Sequence, residues 1–146
     1  MAWGDRDLRG IFQAAALAAA ALVALAGGAV AKEQILKCEL KRHGAYQGTP
    51  TQVVIAYQKG EGRMVVYDSM MAYFKRDPVL GTVGRDTDKT LVIRWKLSNV
   101  KADSGYIYDV RYSLSWDKPS GRAKISGRLS VSDDSYTGTG TCAFKK

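Results

Sequence analysis

Six basic residues, Arg94, Lys96, Arg111, Arg122, Lys124 and Arg128, recur at alternating positions of three successive apolar stretches. If those stretches are neighbouring strands, period-2 geometry puts all six on one outward side, interrupted only by Asp109. Guanidinium and ammonium groups gathered in this way can dock an anionic polymer, a lipid headgroup layer or an acidic protein. The plainer reading is a solvated face, since Lys and Arg keep sheets soluble. Other chemistry is thinly provided. His43 is the lone histidine and lies beside Gly44, and the two cysteines, Cys38 and Cys142, are far apart, so no metal-ligand spacing exists. Nucleophilic catalysis lacks a positioned base beside a nucleophile. The acidic pairs Asp86/Asp88 and Asp133/Asp134 fall in turn-like segments, where Asp bonds its own backbone. Asp68 is different. It lies within the apolar stretch Met64 to Phe74, and a carboxylate buried there needs a partner, as functional carboxylates do. The residues point to a protein that is not an enzyme and uses no cofactor.

The elements that must position these groups read as strands. Ile35 to Lys41 alternates with Leu36, Cys38 and Leu40 on one side, and Gln52 to Gln58 offers Val53, Ile55 and Tyr57. Met64 to Phe74 changes parity near Ser69, as a β-bulge would. Val79 to Arg85 is a weak strand with two glycines. Thr90 to Leu97 places Leu91, Ile93, Trp95 and Leu97 inside. Tyr106 to Trp116 places Tyr106, Tyr108, Val110, Tyr112, Leu114 and Trp116 on one face, and Arg122 to Val131 does so with Ala123, Ile125, Gly127, Leu129 and Val131. The closing strand, Ser135 to Lys146, turns Tyr136, Gly138, Gly140, Cys142 and Phe144 inward. No stretch beyond the leader shows a helical period.

Seven to eight closely spaced strands with short turns predict an all-β domain, a small antiparallel up-and-down barrel; a two-sheet sandwich is the alternative. In the barrel the last strand lies beside the first, so Cys38 faces Cys142. A disulfide closing a ring of about 100 residues stabilises by about 4–5 kcal/mol in the chain-entropy model. A membrane-spanning barrel is disfavoured, because the outward side carries Arg94, Lys96, Lys124 and Arg128 where lipid demands an apolar band. The aromatic stripe of Tyr106, Tyr108, Tyr112 and Trp116 with Trp95 allows two readings. It either fills the interior against Ala123, Gly127, Gly138 and Gly140, or lines a cavity for a small apolar ligand.

Residues 1–31 read as a signal peptide with its own helix. A short polar stretch with Arg6 and Arg9 precedes the apolar run Ala14 to Ala26, and Ala29-Val30-Ala31 is a small-residue cleavage pattern. A retained membrane anchor is the alternative. The mature domain, 32–146, is then a single β-barrel domain. The leader's two acids and two bases cancel, so the whole net charge of +8 belongs to that domain. A signal peptide and paired cysteines predict a periplasmic or secreted location. Nucleic acid is not expected as a partner, because no outward aromatics stand ready to stack bases.

Ser104-Gly105-Tyr106-Ile107-Tyr108, with Cys38 near one end and Cys142 near the other, resembles the small periplasmic inhibitors of C-type lysozyme. Those inhibitors carry an S-G-x-x-Y motif and a disulfide between terminal regions. The likeness covers these residues only. It implies an eight-stranded barrel and, as one alternative, lysozyme inhibition, although a basic target and a basic inhibitor repel on approach. The leading expectation is an exported, non-catalytic binding module of the cell envelope that docks on an anionic surface or acidic partner through the basic strand face.

Overall fold

The computed structural model describes residues 32–44, 48–132 and 134–146. The signal-peptide reading, with cleavage after Ala31, lies outside the described residues. Eight strands follow in order: β1 (Gln34–Arg42), β2 (Gln52–Tyr57), β3 (Arg63–Asp68), β4 (Val79–Asp86), β5 (Thr90–Lys101), β6 (Ile107–Asp117), β7 (Arg122–Leu129) and β8 (Ser135–Phe144). Each pairs antiparallel with the next, and β8 pairs with β1, so the sheet closes into a barrel. Closure removes both sheet edges and excludes the sandwich alternative. Cys38 stands directly opposite Cys142 on the closing seam, and the two are bonded. On that seam a Cβ at Gly140 would lie 1.9 Å from the Glu39 carbonyl oxygen, so only glycine lets the two backbones approach this closely.

Alternation dictates what is buried. Leu36, Cys38, Val53, Ile55, Val66, Leu91, Ile93, Leu114 and Ile125 are removed from solvent and form one continuous core. Trp95, Tyr112 and Trp116 of the aromatic stripe belong to it, and Tyr108 packs half-buried against it. The Tyr112 ring stands 3.1 Å from where a Cβ at Gly127 would be, and Ile93 and Val66 both stand 2.9 Å from the corresponding point at Gly81. Large side chains thus pack onto glycines of neighbouring strands, which favours the core-filling reading of the stripe. A second, smaller apolar cluster lies outside the barrel, with Val54 and Ala56 covered by Ile35, Val65 and Tyr67. The barrel, its core and its disulfide lie wholly within residues 34–144.

Two sequence expectations need correction here. The stretch after Asp68 is not a bulged strand but a short helix, α1 (Ser69–Tyr73). The Asp68 carboxylate caps it by accepting hydrogen bonds from the Met70 and Met71 amides, which satisfies orphan donors that a strand would have paired. Tyr106 and Val131 are exposed rather than inward, because β6 begins at Ile107 and β7 ends at Leu129. The pleat that fixed their parity has stopped by then. Gly105, at φ +90°, turns the chain just before Tyr106.

The end at which β1, β3, β5 and β7 finish is called the upper end. Helix α1 and the β1–β2 connection lie over it: Tyr112 Oη donates to the Gly48 carbonyl at 2.7 Å and Arg42 Nε to the Thr49 carbonyl at 2.6 Å. At the lower end Tyr57, Trp116 and Phe144 pack ring to ring.

Candidate anion-docking face

All six basic residues of the expected wall are exposed on the outer face of β5, β6 and β7, as alternation requires. Register then divides them. Lys96 pairs with Arg111, Arg111 with Arg128, and Arg128 with Ser135, a row of three cations directly opposite one another. One step down the strands lies a row of a different kind: Arg94 pairs with Ser113, Ser113 with Ser126, and Ser126 with Thr137. Together the rows line a shallow depression of about 740 Å³ that Leu80 and Thr82 close on the β4 side and that contains no carboxylate. Serine hydroxyls form its floor and four cations stand around it.

Arg94 is steered by its neighbour strand. β4 carries a bulge at Gly84, between the pairs Val83 with Ile93 and Arg85 with Val92. The Arg94 Nη1 lies 2.8 Å from where a Gly84 Cβ would sit, so the missing side chain gives the guanidinium a place to lie. The same bulge switches the parity of β4 and turns Asp86 inward, opposite Leu91. Like charges placed opposite one another on adjacent strands destabilise a sheet. Of the row, only Lys96 has an acidic neighbour among the described residues, Asp109 at 3.8 Å.

Arg122 and Lys124 belong to a separate, lower depression of about 630 Å³. Asp117 lines it as well, so the acidic interruption is not Asp109 alone. The residue reads as a turn former in the sequence, but β6 runs through it. Hydrogen bonds from the Ser120 side chain and backbone hold the Asp117 carboxyl below the usual range, with a contribution from the Arg122 charge. The candidate site is therefore the upper group, Arg94, Lys96, Arg111 and Arg128 with Ser113 and Ser126.

The other chemistry-bearing residues have structural partners. Asp68 is fully buried; besides the two amides it accepts a hydrogen bond from Trp95 Nε1 at 2.7 Å. Burial pushes its pKa up to about 6, against the opposing pull of those three bonds. No second titratable side chain bonds it among the described residues, so its place in the fold is that of a cap and a tryptophan anchor. Asp86 is not a turn residue. It lies 2.7 Å from Lys118 Nζ and 3.1 Å from Tyr57 Oη, which sequence reasoning missed because the partners are remote in the chain. Asp88 is exposed at 3.7 Å from Lys59, Asp134 lies in the β7–β8 connection, and Asp133 lies outside the described residues. His43 is exposed and shares a 2.8 Å hydrogen bond with Thr139. No group of His, Cys, Asp and Glu among the described residues could hold a metal ion. Ser104, Gly105 and Tyr106 are exposed in the β5–β6 connection.

Comparison with family models, with curated proteins and with solved structures finds no match to this chain. The functional reading therefore rests on the geometry of the face itself.

Proposed function

We propose that the chain is an exported, non-catalytic binding module of the cell envelope that docks on an anionic surface through the upper basic depression. The observation that carries this is the row Lys96–Arg111–Arg128 beside the serine row, with no carboxylate between them. Guanidinium groups and serine hydroxyls all donate to oxyanions, and two arginines offer planar, bidentate forks. The buried disulfide is compatible with an oxidising, exported compartment. The bonded state of Asp68 supports a non-catalytic role, since its oxygens are engaged by backbone and indole.

The test is retention on a polyanion column and co-sedimentation with anionic vesicles across a salt series. Binding is expected to weaken steeply with salt, because exposed charges are screened over about 8–10 Å near physiological ionic strength. Changing Lys96, Arg111 and Arg128 together to Glu is expected to abolish retention, whereas changing Arg122 and Lys124 to Glu weakens it only modestly. Equal retention of the triple variant and the wild type, or salt-insensitive binding, rejects the face as the site. A second reading, inhibition of C-type lysozyme, draws on the exposed Ser104-Gly105-Tyr106 turn. A turbidity assay with unchanged lysis at saturating protein removes it.

A further inference from the structure

Among the described residues, five large apolar side chains are 60% or more exposed: Tyr73, Leu80, Tyr106, Ile107 and Val131. All five lie toward the upper end. Tyr73 ends α1, Tyr106 immediately precedes β6, Ile107 begins it, Val131 follows β7, and Leu80 is the second residue of β4. None lies at the lower end. They come from separate connections and do not form one groove. Those on β6 and after β7 are held side by side, since the Asp109 amide donates to Ser130 Oγ at 2.9 Å and the Ser130 amide to the Asp109 carbonyl at 2.9 Å.

Cations accompany these tips. Lys75 and Arg76 follow Tyr73 after Phe74, and Lys101 stands opposite Ile107 on the outer face. Arg76 is tied to β5 through a hydrogen bond from Nη2 to the Asn99 carbonyl at 2.5 Å. The row Lys96–Arg111–Arg128 begins four residues down β6 from Ile107, about 13 Å at the rise of an extended strand. Asp77, Asp103 and Asp134 stand among the same loops, and Asp109 is engaged by the Asn99 amide and Lys96.

We propose that the occupant of this end is the surface of an anionic phospholipid bilayer. The barrel leans on it with Tyr73, Tyr106, Ile107 and Val131 entering the boundary between headgroups and acyl chains, and the basic row lies against the phosphates. This deepens the reading of the basic face and rests on it. Scattered exposed side chains on separate connections suit a deformable interface, where tyrosine rings settle at headgroup depth. A protein partner would require one contiguous, complementary patch. Apolar insertion and headgroup attraction are the two terms that together give stable peripheral binding.

The experiment uses residues 32–146 and compares vesicles of phosphatidylcholine alone, vesicles mixed with phosphatidylglycerol, and a polyanion column. The tip variant changes Tyr106, Ile107 and Val131 to Ser; these side chains are exposed, so circular dichroism should show an unchanged fold. Its affinity for anionic vesicles is expected to fall by about tenfold or more, as lost apolar insertion requires, with column retention unchanged. Tyr106→Trp should shift its emission to the blue on anionic vesicles and be quenched by brominated acyl chains. If the tip variant sediments like the wild type, or the new tryptophan stays in water, lipid insertion is overturned while the basic face stands. Equal loss on vesicles and column also overturns it, because the tips would then serve any polyanion. Undiminished column retention after Lys96, Arg111 and Arg128 become Glu instead removes the underlying reading.

Discussion

One carboxylate at each end of the barrel is withdrawn from solvent, Asp68 fully and Asp86 in part, and the two are satisfied in opposite ways. At the upper end Asp68 has no cation among the described residues; its oxygens accept from two helix amides and the Trp95 indole, and its pKa rises to about 6. At the lower end Asp86 meets Lys118 at 2.7 Å, with Tyr57 Oη between them and the ammonium 5.2 Å above the Tyr57 ring. Burial acts to lower the Lys118 pKa, but the bonds to Asp86 and Tyr57 outweigh it and the net shift is upward. The outer face differs as well: the upper depression is lined by four cations and no carboxylate, whereas Arg122 and Lys124 share the lower one with Asp117. Among the described residues, large apolar side chains are exposed only toward the upper end. Departures from local stability rules collect where a protein binds.

The largest expected effect comes from breaking the upper carboxylate. Asp68→Ala should destabilise by about 3–4 kcal/mol, the sum of a lost helix cap and an orphaned Trp95 N–H in the core. Chemical denaturation with Trp95 fluorescence reads both. Asp68→Asn keeps an acceptor for the amides and should cost less; equal losses would remove the cap from the account.

The pH profile sharpens the same comparison. The folded pKa of Asp68, about 6, lies above its ordinary value of 3.8, so the native state binds this proton more tightly than the unfolded chain. Stability from this group therefore falls as pH rises from about 4 to about 6 and is flat above. The span is about 2–3 kcal/mol at roughly 1.4 kcal/mol for each pKa unit. Measured as the difference between wild type and Asp68→Asn, this slope should run opposite to ordinary acid denaturation. A flat difference from pH 4 to 7.5 would place the Asp68 pKa near its usual value.

At the lower end, Lys118→Met removes the only cation bonded to Asp86 among the described residues and should destabilise by about 1–2 kcal/mol, less than a fully buried pair because part of Lys118 reaches solvent. Lys118 and Asp86 changed together to Met and Leu should recover most of that loss. Failure to recover would assign the cost to packing against the Tyr57 and Trp116 rings.

The alternation of Leu91, Ile93, Trp95 and Leu97 was legible because a half-buried strand must repeat every second residue. The Cys38–Cys142 bond was legible because barrel closure brings first and last strands together. Helix α1 was not. Five residues span less than two turns, so a helical period has no room to appear, and the only local signal was Asp68 ahead of Ser69-Met70-Met71. Asp86 escaped because its inward turn depends on a bulge at Gly84, and Lys118 approaches from a different connection. The outward placement of the six basic residues was legible from alternation. Their division into two depressions was not, because it depends on cross-strand register, which sets Lys96 beside Arg111 and Arg128 and leaves Arg122 and Lys124 apart with Asp117.

The smallest expected effect separates binding from stability most directly. Arg111 lies between Lys96 and Arg128 on adjacent strands, so Arg111→Thr relieves repulsion on both sides and supplies a β-branched residue suited to a strand. It should stabilise by about 0.5 kcal/mol, within the range of cross-strand pair energies. Arg122→Thr removes a cation that shares its depression with Asp117, so it should be neutral or slightly destabilising. The same substitution thus changes sign between the two rows. Retention on a polyanion should move the other way, falling sharply for Arg111→Thr and little for Arg122→Thr. Urea midpoints and column elution salt on the two single variants decide it. If Arg111→Thr loses stability, neighbouring groups already balance the row, and the proposed docking face loses its electrostatic support.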